Sequence, residues 1–392
     1  MPWREASIVS QREEFVALAS ADGANISELC RRYGVSRPTG YKWLARHRTG
    51  GSLSDRSRRP RSTPARSERE VETAVIRVRD RHPAWGARKI RAVLRDRGAD
   101  IPAVSTVHAI LVRHGRVHPA EAAKHTPVKR FEHDRPNALW QMDFKGHVPL
   151  RRGGRCHPLT IVDDHSRFAV ALKACSNEQE PTVRAQLTET FRLFGLPERI
   201  LADNGPPWGV PRPGFERTRL SMWLLRLGVV VTHGRPRHPQ TQGKSERFHR
   251  TLKSELLART DLRDLATAQE AFDGWRAEYN LVRPHEACDL HPPVTRYRPS
   301  ARAFPERLPE LEFGPDDLVR RVRPDGYVQH ARRSWFVSEA LAGELVALRP
   351  SPLDGVLRVC YGPHPIATLD LRARRRRPPL AALAPDADAD FL

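Results

Sequence analysis

Three acidic residues, Asp143, Asp203 and Glu246, are the candidates for catalytic chemistry. Asp143 lies in residues 140–144 (WQMDF), an apolar run typical of a buried strand. A carboxylate in such a strand is at an end, paired, or bound to a metal. Asp203 ends a second apolar run in 201–205 (LADNG), and Glu246 lies in a segment with helical spacing. Carboxylates from two strands and a helix can converge on two Mg²⁺ or Mn²⁺ ions, because such ions prefer oxygen ligands.

The chemistry open to this set is metal-assisted phosphoryl transfer. Two such ions ~3.5–4 Å apart stabilise both the entering and the leaving oxygen of an in-line displacement. Each residue also has a simpler interpretation. Residues 203–205 (DNG) form a good turn, Asp143 can cap an edge, and Glu246 with Arg250 is a common helical ion pair. For any one of these residues considered alone, the simpler interpretation is favoured. The occurrence of all three carboxylates in this order favours the metal site instead.

Short apolar runs alternating with helical segments surround these carboxylates and define a catalytic region at 130–300. Strands are predicted at 138–145, 157–163, 167–173, 199–202 and 229–232, and helices at 180–194, 216–227, 241–258 and 266–280. Three strands in a meander followed by alternating helices and strands predict a mixed five-stranded sheet with helices on its faces. This region is therefore predicted to be α/β.

The N-terminal region, 1–50, has the pattern of an all-α helix-turn-helix domain. A short helix at 26–33, with Ser27 as its cap, precedes a turn and a cationic helix at 37–47. The residues predicted to contact DNA are Arg37, Thr39, Tyr41, Lys42 and Arg46. The apolar side predicted to pack inward comprises Val35, Tyr41 and Leu44, so Tyr41 stands in both sets. An ordinary helical hairpin is the alternative, but the cationic helix favours DNA binding.

A basic linker is predicted at 51–64, where Arg58 and Arg59 can follow phosphates. A second helical unit, 65–118, contains predicted helices at 67–81, 86–97 and 105–114, the last capped by Ser105. This unit is predicted to bind DNA, as a second helix-turn-helix or as a small bundle with a basic surface.

The C-terminal region, 312–372, contains short apolar runs separated by turn residues. The predicted strands are 319–323, 334–338, 344–348, 356–361 and 366–371. These runs predict a small β-barrel. A basic and then disordered tail is predicted at 373–392.

Composition indicates the kind of partner. The 392-residue chain has a formal net charge of +21, which favours a polyanion such as nucleic acid, although a ribosomal-type protein is also compatible with it. Five scattered cysteines predict neither a disulfide framework nor a zinc site. No stretch approaches the ~20 apolar residues of a membrane span, and no signal peptide is visible. We therefore expect a cytoplasmic protein, associated with the nucleoid in a bacterium.

These motifs resemble those of insertion-sequence transposases that share a retroviral-integrase catalytic core. The resemblance extends over about 135–300 and rests on 140–143 (WQMD), 162–168 (VDDHSRF), 203–205 (DNG), 238–247 (HPQTQGKSER), 250–253 (RTLK), 279–280 (YN) and 283–285 (RPH). It implies a ribonuclease H-like fold in which Asp143, Asp203 and Glu246 are the metal-binding DDE triad. The interval from Asp203 to Glu246 is longer than usual for the family, and the excess falls in the Pro/Gly-rich loop 206–214.

Other polar residues near the triad have separate predictions. Asp163 and Asp164 are explained by turn formation and by pairing with Arg167, so they are not assigned to the metals. Trp208 can stack on an unpaired base or anchor its loop, and the two are equally favoured. The residues of this region predicted to contact DNA are His238, Lys244, Arg247 and Arg250.

The resemblance implies a transposase that frees a 3′-hydroxyl at a transposon end and joins it to target DNA. The expected partners are double-stranded DNA and further copies of the chain, with Mg²⁺ or Mn²⁺ as two ions and without a nucleotide cofactor. The N-terminal helices are expected to bind the terminal repeats. A ribonuclease H-type nuclease and a catalytically inactive DNA-binding regulator are the alternatives.

Overall fold

The computed structural model describes residues 8–55, 66–117, 132–209, 217–233 and 243–372. The chain divides into two compact units, Met1–Arg66 and Ser67–Leu392. Each unit has its own buried apolar side chains.

The first unit consists of three helices, α1 (Ile8–Ala19), α2 (Ile26–Arg32) and α3 (Arg37–Arg48). Phe15, Trp43 and Leu44 are buried between them. The side chain of Ser36 caps α3 by accepting a hydrogen bond from the Thr39 amide. α2 and α3 have the order and spacing of the predicted helix-turn-helix.

Two details of the first unit differ from the sequence-based prediction. The cap of α2 is Asn25, not Ser27, because the Asn25 carboxamide accepts hydrogen bonds from two amides of the first turn. Tyr41 is 56% exposed and does not pack inward. Trp43 fills the core position instead, so the apolar side of α3 is rotated from the predicted one.

The second unit begins with three helices, α4 (Arg69–Arg81), α5 (Ala87–Asp96) and α6 (Val104–Arg113). Trp85, Ile90 and Ile110 are fully buried among them. α6 starts after Ala103 without a side-chain cap, so the prediction that Ser105 caps it is wrong. The buried Glu72 of α4 pairs with Arg113 and His114 at the end of α6, which ties the first helix to the last.

A six-stranded mixed sheet follows, where five strands were predicted. Its strands are β1 (Leu139–Phe144), β2 (Val148–Pro149), β3 (Arg155–Asp163), β4 (Ala169–Cys175), β5 (Arg199–Ala202) and β6 (Val230–His233). The order is β2-β3-β1-β5-β6, with β4 also paired to β3. β1 is antiparallel to β3 and parallel to β5. The additional strand, β2, has only two residues and was not predicted.

Helices cover both faces of the sheet. They are α7 (Glu180–Phe194), α8 (Arg219–Arg226), α9 (Gly243–Leu252) and α10 (Leu265–Leu281), with a π-helical turn at Lys253–Leu257. α7 and α8 pack on the face that carries Trp140 and Met142 of β1. α9 and α10 pack on the opposite face, against Val162 and Leu172. Because side chains alternate along a strand, Gln141 and Asp143 belong to the face covered by α9 and α10.

The C-terminal strands are β7 (Leu318–Arg321), β8 (Tyr327–His330), β9 (Arg333–Phe336), β10 (Leu345–Pro350), β11 (Val356–Tyr361) and β12 (His364–Asp370). Four of them form an antiparallel sheet in the order β12-β11-β10-β7, and β8 pairs only with β9. The prediction of a closed barrel is not confirmed, because both described sheets are open. Met222 of α8 belongs to the same apolar cluster as these strands.

Among the described helices, none is long and apolar enough to cross a membrane.

Candidate active site at the ends of β1 and β5

The ends of β1 and β5 bring two of the predicted carboxylates together. β1 and β5 are parallel, with Gln141 opposite Leu201. Continuing this register by two residues places Asp143 beside Asp203, which directly follows β5. Both lie at the carboxyl ends of their strands, where diverging loops leave room for a ligand.

Glu246 lies on α9, the helix that packs on the same face of the sheet as Asp143. Ser245, Phe248 and Leu252 of this helix are buried, whereas Glu246 is exposed. The alternative ion pair with Arg250 is not formed, and Glu246 has no hydrogen-bond or ion-pair partner among the residues that the structure describes. Its carboxylate is therefore available to a ligand at the edge of the site.

A histidine that the sequence did not single out links α9 to β1. His249 lies one helical turn after Glu246, and its Nε2 is 2.8 Å from the hydroxyl of Thr160. Thr160 is opposite Asp143 in the β1–β3 register, and its hydroxyl donates to the Asp143 carbonyl at 2.9 Å. Since Thr160 has one proton to give, Nε2 of His249 must donate to it. Nδ1 is then unprotonated and lies 3.8 Å from Oδ2 of Asp143.

The electrostatic surroundings of Asp143 disfavour its charged form. Burial raises the pKa of Asp143 to about 6, and the nearby charges of Asp203 and Glu178 act in the same direction. Burial, with Lys145 nearby, lowers the pKa of His249 to about 4, so its ring is neutral at neutral pH. Two neighbouring carboxylates without a protonated histidine favour the binding of a cation, which would remove their mutual repulsion.

Oxygen ligands of this kind are the ones Mg²⁺ and Mn²⁺ prefer, so the residues fit such ions chemically. Within the described ranges, no group of three or more His, Cys, Asp and Glu side chains is already arranged to hold a metal. The structure brings Asp143 and Asp203 together and places Glu246 on the adjacent helix, but the three do not form a closed cluster.

Of the two acidic residues at the end of β3, Asp163 has its predicted role in a turn, whereas Asp164 has a different partner from the one predicted. Asp163 accepts hydrogen bonds from the amides of Asn137 and Ser166, which explains it as a turn residue. Asp164 pairs with Lys244 of α9, not with Arg167. Burial raises the pKa of Asp164, but Lys244 and the His133 amide outweigh this effect and hold it below its usual value. Asp164 is therefore a charged residue in the interior.

The predicted DNA contacts of the first unit lie on α3. Arg37, Tyr41 and Lys42 are exposed and accessible to a ligand. Thr39 is half-buried, and its hydroxyl lies 2.9 Å from that of Ser36. Arg46 donates to the Ser54 carbonyl and lies over Trp43, so it contributes to packing as well as charge. Arg58 and Arg59 lie outside the described residues.

The predicted DNA contacts of the second unit are placed unequally. Arg247 and Arg250 are exposed on α9, with Arg247 3.9 Å from Glu286. Lys244 is mostly covered, and its ammonium is engaged by Asp164. His238 lies outside the described residues. Arg247 and Arg250 thus remain accessible beside Glu246, while a phosphate would have to displace Asp164 from Lys244.

Trp208 is only 4% exposed and belongs to the apolar cluster under α7 and α8. Its ring stacks on Phe144, with the ring centroids 5.8 Å apart. Of the two roles open to Trp208 from the sequence, this packing favours the loop anchor.

Family models match most parts of the chain. Models described as "Integrase core domain" match residues 133–239 and 227–293, which contain the sheet and all three carboxylates. A "Helix-turn-helix domain" matches 11–61 and a "Homeodomain-like domain" matches 39–111. The C-terminal residues 317–377 match "IS481 family transposase, C-terminal domain". In these matched domains the chain is similar to insertion-sequence transposases with an integrase-type core.

Two curated relatives come from bacterial insertion elements. The IS476 39.2 kDa protein of Xanthomonas euvesicatoria is 26% identical, over 60% of this chain and 66% of that protein. The IS407 31.7 kDa protein of Burkholderia multivorans is 28% identical, over 45% of this chain and 61% of that protein. The match to this chain thus covers less than two thirds of either relative.

One solved structure is similar to part of this chain. The HTLV-2 integrase catalytic core domain in complex with magnesium is 16% identical, covers 42% of this chain and 99% of that chain, and gives a TM-score of 0.33.

Proposed function

We propose that the chain is a DNA strand transferase that cleaves the ends of its own element and joins them to target DNA. The observation that carries this proposal is the parallel register of β1 and β5. Continued by two residues, this register sets Asp143 beside Asp203, and Asp143 belongs to the sheet face covered by the helix of Glu246. The matches to integrase core models and to a transposase domain support the same reaction class.

In this proposal Asp143, Asp203 and Glu246 hold two divalent ions, Mg²⁺ or Mn²⁺. When bound, such ions stabilise the developing charge on the attacking and leaving oxygens of a phosphodiester. Asp143 must be ionised to take part, and its raised pKa makes this depend on pH. Glu246 is exposed on α9, and a small shift of this helix would change its distance to the other two carboxylates.

The remaining parts of the chain bind DNA in this proposal. The exposed Arg37, Tyr41 and Lys42 of α3 contact the terminal repeats in the major groove. Arg247 and Arg250 contact phosphates beside the reacting strand. Because two ends must be held at once for joining, the working form is a multimer of this chain.

A strand-transfer assay tests the proposal. The full chain is incubated with DNA carrying the ends of its own element, with Mg²⁺ or Mn²⁺, beside Glu246→Gln. The matched control is Glu270→Gln, because Glu270 is an exposed glutamate on the neighbouring helix α10. We expect joined products from the wild type and the control, and none from Glu246→Gln, which should still bind DNA.

Two other outcomes separate the alternatives. Cleavage without joining would indicate a ribonuclease H-type nuclease. Tight binding to the ends without either reaction, with both metals, would indicate a DNA-binding regulator and contradict the proposal.

A further inference from the structure

We propose that Asp164 is a positioning residue for the active site. It holds the first turn of α9 against the sheet through Lys244 and thereby sets the place of Glu246. This inference rests on the proposed function, because it concerns the placement of a residue assigned to the metals. It also assigns Lys244 to this internal anchor and not to DNA.

Asp164 is a buried charge that is held by three different segments. Its side chain is 2% exposed. One carboxylate oxygen accepts from the His133 amide at 3.0 Å, and the other from Nε2 of Gln141 at 2.8 Å. The ammonium of Lys244 reaches the second oxygen as well. A buried carboxylate is stable only when it is paired in this way, so the three segments are fixed to one point.

Gln141 extends the anchor to the next residue of α9. While its Nε2 donates to Asp164, its Oε1 lies 3.3 Å from the hydroxyl of Ser245 and accepts from it. Gln141 also precedes Asp143 by two residues in β1, so both side chains lie on the same face of the sheet. The residue that holds α9 thus belongs to the strand that carries Asp143.

Glu246 lies between two points of attachment. Lys244 and Ser245 are fixed by Asp164 and Gln141, and His249 is fixed by Thr160 one turn later. Glu246 itself has no such contact with the described part of the chain. The position of its carboxylate relative to Asp143 is therefore set by its neighbours on the helix, and loosening the first attachment should displace it.

The geometry also separates Lys244 from the other cations of α9. Arg247 and Arg250 are exposed, whereas the side chain of Lys244 is 21% exposed and directed to Asp164. A lysine that binds a phosphate contributes about one counterion to the salt dependence of DNA binding. A lysine that only holds Asp164 contributes none, so the two roles are distinguishable by measurement.

The experiment compares Asp164→Asn, Lys244→Met and the double variant in the full chain. Arg250→Gln is the comparison variant, because it removes an exposed cation from the same helix. Hydrogen exchange of the α9 amides is measured without metal. The Mn²⁺ concentration needed for half of the thermal stabilisation is measured next. Binding to the element's ends is then measured over a range of salt concentrations. Ser245→Ala is the milder variant, because it removes one hydroxyl and leaves the buried charge pair intact.

We expect faster exchange in α9 and an Mn²⁺ requirement raised by roughly 10–100-fold in Asp164→Asn and Lys244→Met. The double variant should be no worse than either single one, since both remove the same interaction. The salt slope of DNA binding should be unchanged in these variants and reduced by about one in Arg250→Gln. Ser245→Ala should also speed the exchange of the α9 amides and raise the Mn²⁺ requirement, but by less than Asp164→Asn or Lys244→Met.

Any of three results would overturn the inference. The first is a salt slope reduced by about one in Lys244→Met but not in Asp164→Asn. The others are α9 exchange in Asp164→Asn and Lys244→Met equal to that of the wild type, and additive defects in the double variant. If Asp164→Asn fails to fold, the α9 exchange of Ser245→Ala decides instead: exchange faster than in the wild type supports the inference, and exchange equal to that of the wild type overturns it. If the wild type shows no response to Mn²⁺, the proposed function fails, while the exchange data still decide whether Asp164 anchors α9.

Discussion

Asp143 illustrates how a residue proposed to bind a metal can oppose stability. Its side chain is 29% exposed, and burial together with Asp203 and Glu178 raises its pKa to about 6. The folded protein without metal therefore binds a proton at Asp143 more tightly than the unfolded chain does. Below the unfolded pKa, near 4, both states are protonated and there is no penalty. As the pH rises from about 4 to 6 the penalty develops, and it is complete above that range.

Asp143→Asn should therefore stabilise the metal-free protein at pH 7.5 and not at pH 4. The gain in the free energy of unfolding is at most about 3 kcal/mol, because burial raises the pKa of Asp143 from its ordinary value near 4 to about 6. Thermal or urea unfolding at the two pH values measures it. Asp316→Asn, which changes an exposed aspartate, is the control and should have no such effect. Equal stabilisation at both pH values would contradict the account, as would none at pH 7.5.

Trp208 gives a prediction about packing. Trp208→Ala removes a buried indole that stacks on Phe144, so it should lower the free energy of unfolding by about 3–5 kcal/mol. Trp208→Phe keeps part of the contact and should cost less. Urea unfolding and the binding of single-stranded DNA are measured for both variants. Normal stability combined with weakened binding would instead support the stacking of Trp208 on an unpaired base.

Among single residues, the sequence identified the acids but not their partners. Asp143 and Asp203 stand out because each is a carboxylate in or beside an apolar run, and Glu246 stands out because it follows them in a segment with helical spacing. Thr160 and His249 do not stand out, because their contact depends on the register between β1 and β3 and on the rotation of α9. The spacing of His249 three residues after Glu246 was the available signal, since it places both on neighbouring positions of one helix surface.

At the scale of elements, apolar periodicity predicted most of the secondary structure. α7 and β5 have the predicted bounds, and α9 begins within two residues of the predicted start. β2 and β8 were missed, since they have two and four residues and little periodicity. Caps were less predictable: Ser27 and Asn25 are both good capping residues, and the side chain that reaches the free amides decides between them.

The helix α3 carries a prediction about DNA binding. Arg37→Gln with Lys42→Gln removes two exposed cations from the proposed recognition helix, so affinity for the element's ends should fall. The slope of log affinity against log salt should decrease by about two. Fluorescence anisotropy at several salt concentrations measures both. Arg192→Gln is the control because Arg192 is already paired with Glu306, and an equal loss in that variant would contradict a specific role of α3.

For the whole molecule, the order of elements was predictable but the closure of sheets was not. Short runs and turns in 312–372 suggest a barrel, yet closure requires that the first and last strands pair. β7 and β12 instead remain at opposite edges of an open sheet, and β8 pairs with β9 alone. Such long-range pairing depends on side chains from other elements, here including Met222 of α8, which shares the core of this region.

Models of a helix-turn-helix domain, an integrase core and a transposase C-terminal domain match separate segments of the chain in this order. Composition agreed with this order only in general terms, because a net charge of +21 indicates a polyanionic partner without specifying which. The core is thus the part of the molecule on which the proposed activity depends.

The central claim is that Glu246, with Asp143 and Asp203, contacts a divalent metal during strand transfer. Its most direct test is the joining of element ends by Glu246→Cys in Mg²⁺ and in Mn²⁺, beside wild type and Glu246→Gln. A thiolate is a poor ligand for Mg²⁺ but a better one for Mn²⁺. The account predicts that Glu246→Cys is inactive with Mg²⁺ and regains joining with Mn²⁺, while Glu246→Gln stays inactive with both. Joining by Glu246→Cys with Mg²⁺ at the wild-type rate, or equal rescue of Glu246→Gln by Mn²⁺, would contradict it.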